Sequence, residues 1–300
     1  MKLFCSLLFY RVENGLNRGG LLCSRSARTP DHYCRYERDA YRDAAALPGR
    51  WVQKVSRLVL LIWIAGGALS GVAHATLDYS EYARLLQEYV RPDGVRYAAW
   101  AQQAEDRAAL AAVLDQMAQV AVSELSPAGQ QAFYINLYNA AMLQAVFEHY
   151  PLNSVRNIGL IPFSIFKKKF IRLGDQSLSL DGVEKGILLQ EYFDPRIHFA
   201  VNCASQSCPP LRAEPFIASR LEAQLEQQTV AFANSPRAAQ VDADQRAVAY
   251  SELLKWYADD FPGEHPAKYL NAYRSKKIST EYTVRWIPYD WSLNELSPIQ

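Results

Sequence analysis

The chain has 300 residues, half of them apolar and 12% aromatic, with 32 Lys and Arg against 31 Asp and Glu. That composition supplies a full core and excludes both a disordered chain and a miniprotein held together by disulfides alone. The near-neutral sum conceals a split: residues 1–75 carry eleven basic against five acidic side chains, and residues 76–300 carry twenty-one against twenty-six.

From Arg50 the sequence reads as an export signal. Arg50, Lys54 and Arg57 form a basic start, Leu58 to Ala65 an apolar run, and Val72 to Ala75 the small-x-small pattern that a signal peptidase accepts. The exported domain is therefore expected to begin near Thr76 and to be periplasmic or extracellular. The alternative is a membrane anchor formed by residues 58–75, although the fully apolar core is about half the roughly 20 residues needed to span a bilayer. Residues 1–49, Arg-rich and ahead of the signal, read as an over-extended start. Of the five cysteines, Cys203 and Cys208 remain in the exported part, and two thiols this close in an oxidising compartment invite a disulfide.

Residues 76–300 show no repeat and suit one domain. Helices are expected over 77–89 and 98–120. Ser126-Pro127 is a strong helix start, and the apolar stretch to His149 reads as a buried central helix with Asn136 and Asn139 within it. Shorter segments follow: strands over 166–173 and 177–180 joined at Gly174, a helix capped by Asp181, and a strand over 197–202. Then come a helix over 214–232, a hairpin arm over 241–250, a helix over 252–260 and a last strand over 284–289. The fold class is α+β, a single domain with a helix-rich N-terminal half packed on a small mixed β-sheet.

Six ordered blocks, Ala132 to Asn139, Leu180 to Glu184, Pro195 to Cys203, Ser207 to Pro209, Trp256 to Phe261 and Tyr289 to Asn294, resemble the domain-of-unknown-function family 547 over about residues 124–294. The resemblance implies an exported or fused module with its preferred site around His198 and Cys203. It implies no particular reaction.

A nucleophilic cysteine needs a base to draw off its proton. Cys203 with His198 as that base is the sharpest pair, and Asn136 or Asn139 would orient the imidazole or hold a substrate carbonyl, as in papain-like enzymes. Residues five apart on a strand face opposite sides, so the pair meets only if the chain turns near Asn202. Glu184 would polarise a site group or pair with Arg196. Asp290 is a further acidic candidate. This reading is a thiol-dependent enzyme of papain or transglutaminase kind, performing acyl transfer or amide hydrolysis.

The alternative is a non-catalytic envelope module that binds a peptide, protein or small molecule and is stapled by a Cys203–Cys208 disulfide. Cys203, Cys208 and His198 are weak candidates for a metal, because their spacing lacks two separated ligand pairs. Nucleotide, zinc-protease and serine-hydrolase motifs are absent and no cofactor is expected. Nucleic acid is excluded as a partner: the basic run Lys167 to Lys169 is short, the exported part is acidic, and protecting a solvated strand edge explains the lysines better. No membrane span is expected to remain after signal cleavage.

Overall fold

The computed structural model describes residues 77–296. The expected extension 1–49 and the export signal over 50–75 lie outside the described residues. Among the described residues no helix is long and apolar enough to cross a membrane.

Helix α1 (Ser80–Tyr89) buries Tyr82, Leu85, Leu86 and Tyr89, the spacing of one helical stripe. A tight hairpin, β1 (Val90–Arg91) with β2 (Gly94–Val95), leads to α2 (Tyr97–Gln102) and α3 (Ala104–Met117). One helix was expected over 98–120. It breaks at Gln103, whose extended backbone lets α2 turn the buried Trp100 ring onto Tyr89 at 4.6 Å between centroids.

Helix α4 (Pro127–His149) is the centre of the larger core, buried on nearly every face as its all-round apolar sequence requires. Its start is built as read: the Ser126 hydroxyl accepts the Gly129 N–H at 3.2 Å, with Pro127 at the first helical position. Ser126→Ala should cost about 1 kcal/mol, checked by urea unfolding.

The strand expected from Phe166 begins later. Residues Ser164–Lys167 wind into α5, and only then do β3 (Ile171–Leu173) and β4 (Gln176–Leu178) pair antiparallel. Ser179, not Asp181, caps α6 (Leu180–Val183) by accepting the Gly182 N–H at 3.0 Å. The helix then widens into a π-helical turn, Glu184–Leu188, and ends as α7 (Leu189–Tyr192).

The strand expected over 197–202 is instead a helical turn, α8 (Ile197–Ala200). Asp194 causes this: its carboxylate accepts the Arg196 N–H at 2.9 Å and its carbonyl accepts that of Ile197 at 3.1 Å, winding the chain before it can extend. The helix expected from Glu214 starts at α9 (Leu221–Ala233). Three strands complete the fold, β5 (Ala239–Asp242), β6 (Ala247–Ser251) and β7 (Thr283–Ile287), with α10 (Leu253–Trp256) and α11 (Pro266–Tyr273) between the last two. β5 and β6 are antiparallel, and β6 and β7 are parallel, so the sheet is mixed and the class is α+β.

A second, smaller core, including Phe199, Phe232, Val248, Tyr250 and Phe261, lies on this sheet. Within α8, Ile197 joins the larger core and Phe199 the smaller, which leaves His198 at the seam.

The tail ties the parts together. Its Leu293 and Asn294 N–H groups donate to the Asn153 and Ala204 carbonyls at 2.8 and 3.1 Å, and Val95 N–H donates to Asn294 O at 2.9 Å. Gly94 permits that last approach, because a Cβ there would collide with the Asn294 carbonyl.

Candidate functional site

A cavity of about 450 Å³ opens between α6 with its π-turn, the chain around α8, α10 and the tail. Its lining includes Cys203, Cys208, His198 and Glu184 together with aromatic rings, among them Phe163, Phe166, Trp256, Tyr257, Tyr289 and Trp291. Trp256, Tyr289 and Trp291 form one aromatic shelf, with centroids 4.5 to 5.9 Å apart, and Phe163 meets Trp291 edge-on at 4.7 Å.

The turn that carries Cys203 is made by Asn202. This buried side chain donates to Pro209 O at 2.8 Å and accepts the Ala204 N–H at 3.0 Å, while Ala204 takes a left-handed conformation. The Cys203 sulfur lies 3.0 Å from the Ser205 hydroxyl and 3.4 Å from that of Tyr289. Burial raises the thiol's pKa, but hydrogen bonds from Cys208, Ser205 and Tyr289 outweigh it and bring the group down to about 7. Cys208 moves the opposite way: burial and the neighbouring Cys203 push it well up. Both cysteines are thiols in this structure, and the Cys203 N–H points at the Cys208 sulfur, 2.9 Å away.

His198 is buried, and its Nε2 lies 2.8 Å from an Asp260 carboxylate oxygen. Burial lowers its pKa despite Asp260, so the neutral ring donates from Nε2 and leaves Nδ1 as an acceptor. Its face packs on Tyr257 at 4.1 Å between centroids. Cys203 and His198 thus share one cavity, but each is hydrogen-bonded elsewhere: the thiol to Ser205 and Tyr289, the imidazole to Asp260.

Glu184 does not pair with Arg196, which is held by Asp194 and Glu222. It sits buried on the π-turn, accepting from the Tyr257 hydroxyl at 3.2 Å. Burial raises its pKa, offset in part by Lys185 and by the Tyr257 and Tyr138 hydroxyls. π-Turns of this kind recur at functional sites.

The two helix amides serve the backbone rather than the imidazole. Asn136 bonds Phe216 at both its carbonyl and its N–H, at 2.7 and 2.9 Å. Asn139 donates to Ala200 O at 3.0 Å and accepts the Asn202 N–H at 2.8 Å. The expected orienting role falls to Asp260 instead. Asp290 is a turn residue, exposed and capping Ser292. Among the described residues no three His, Cys, Asp or Glu side chains converge as metal ligands, so Cys203, Cys208 and His198 do not form a metal set.

Residues 122–233 match the family model described as "Protein of unknown function, DUF547". No curated protein and no solved structure matches the chain. The DUF547 match runs from before α4 to the end of α9 and includes Glu184, His198, Cys203 and Cys208. Leu253, Trp256, Tyr257, Tyr289 and Trp291, five of the sixteen residues lining the cavity, lie beyond it, as does Asp260. Sequence reasoning gave no role to Ser205, Tyr257, Asp260 or Tyr289. The available signal was the aromatic and acidic content of the blocks around Trp256 and Tyr289, which read equally well as core.

Proposed function

We propose that this chain is an exported binding module whose aromatic cavity takes a peptide segment. The cavity carries the reading: apolar rings would hold a side chain. The buried Glu184 carboxyl, kept toward its protonated form, would meet a backbone carbonyl with a donor. Export rests on the basic start, apolar run and small-x-small pattern over residues 50–75. The module does not depend on a Cys203–Cys208 staple.

The test is fluorine NMR of protein carrying 5-fluorotryptophan, titrated with the blocked tripeptide N-acetyl-Phe-Ala-Phe amide. Saturable shifts at Trp256 and Trp291 are expected, with the fully buried Trp100 unmoved. Resonances that stay fixed up to millimolar peptide would sink the reading.

One observation favours a second reading. The Cys203 thiol stands near neutrality inside the same cavity. In a thiol-dependent acyl transfer, the Cys203 thiolate would attack a bound carbonyl to form a thioester, the amide C–N bond would break, and the Glu184 carboxyl would give the departing amine its proton. Water would then attack the thioester and give a proton to the Glu184 carboxylate, and the C–S bond would break to release the acyl group as an acid and restore the Cys203 thiolate. Direct proton transfer from Cys203 to His198 Nδ1 would require a closer approach, because the sulfur is hydrogen-bonded to Ser205 and Tyr289 instead.

A further inference from the structure

We propose that the surface from Arg156 to Lys169 docks on an anionic lipid bilayer and seats the mouth of the cavity against it. Charge is the first observation. No acidic residue occurs between Glu148 and Asp175, while Arg156, Lys167, Lys168, Lys169 and Arg172 all do, in a domain that is otherwise acidic. Arg172 is drawn to Asp115 at 3.7 Å. Among the described residues none of the three lysines has an ion-pair partner, and all three are exposed.

The second observation is apolar. Leu160 is fully exposed, at 103%, and Ile161 is 69% exposed. The loop that carries them is held in shape. The Ser164 hydroxyl donates to Ile158 O at 3.0 Å and its N–H to Ile161 O at the same distance. Gly159 supplies a positive φ of 93° where a Cβ would strike Ser164.

At the base of the loop Phe163 turns inward onto Trp291, with Arg156 over its ring at 5.1 Å. Phe163, Phe166 and Lys167 also line the cavity, so whatever meets the loop tip lies at the cavity mouth. A soluble polyanion would satisfy the lysines and leave the aliphatic tip in water. A bilayer interface takes both: anionic headgroups for the cations and the acyl boundary for Leu160 and Ile161. The chemistry is peripheral and adds no spanning segment. It is independent of what the cavity binds.

Hydrogen exchange on the full chain tests this at the segment itself, whatever residues 1–76 do near lipid. Phosphatidylcholine vesicles doped with phosphatidylglycerol should slow exchange in residues 156–172, and added salt should reverse the effect. Lys167→Ala/Lys168→Ala/Lys169→Ala should raise the lipid concentration for half-protection on the order of 100-fold. Leu160→Ser/Ile161→Ser should raise it at least about 10-fold, and thermal unfolding of this variant should match the parent because both side chains are already in water. Unchanged exchange with anionic vesicles overturns the proposal. Equal protection by soluble polyglutamate also overturns it and assigns the surface to an acidic polypeptide.

Discussion

Asn139→Ala should lower the thermal unfolding midpoint by roughly 10 °C, the largest stability effect expected of any site candidate. Asn139 sits within α4, almost wholly buried, and both ends of its amide are engaged by the chain that leads into Cys203. Truncation strands the Ala200 carbonyl and the Asn202 N–H, at about 1–3 kcal/mol for each unpaired group. The small void adds to that loss. Asn139→Asp keeps the acceptor and removes the donor, so it should fall between parent and Ala variant. A midpoint within about 2 °C of the parent, less than 1 kcal/mol on a domain of this size, would show that water replaces the amide and that the clamp is unnecessary.

The second large effect concerns the thiols. Iodoacetamide should alkylate Cys203 with a rate that rises through about pH 7 and levels off above it, because the thiolate is the reacting form. Cys208, buried and pushed well up, should remain silent over the same range. At pH 7 a thiol of pKa about 7 is half ionised, against roughly 3% for an ordinary one. Its lower basicity returns part of that advantage, leaving a net gain of about three-fold. The pH midpoint is therefore a sharper readout than the rate.

Tyr289→Phe removes one hydrogen-bond donor facing the thiolate and should move that midpoint upward. If neither cysteine reacts until a reductant is added, the purified protein carries the disulfide and Cys203 is not a standing nucleophile. A midpoint near that of a free thiol would leave the hydroxyls of Ser205 and Tyr289 without influence on the sulfur.

Ser126-Pro127 specified the start of α4, and the all-round apolar composition of that helix fixed its central burial. Both are local properties: a cap needs three residues, and a helix with no polar face has no place at a surface. The α+β class was legible for the same reason, since periodicity and turn residues act over a few positions. The segment over 197–202 was not. Its apolar run fits a strand or a helical turn equally well, and the Asp194 hydrogen bonds decided in favour of α8.

The site divided along the same line. Cys203, His198 and Glu184 were recognisable by residue type, and tertiary structure placed all three around one cavity. Their partners were not recognisable, because they come from distant chain: Asp260 reaches His198 across 62 positions, Tyr257 reaches Glu184 across 73, and Tyr289 reaches Cys203 across 86. A hydrogen bond requires a few ångströms in space and imposes no periodicity on sequence. The sequence by itself therefore determined the central helix α4 and which side chains were candidates for the site. Only the folded chain decided that Asp260, rather than a helix amide, orients His198, and that Cys208, Ser205 and Tyr289 set the acidity of Cys203.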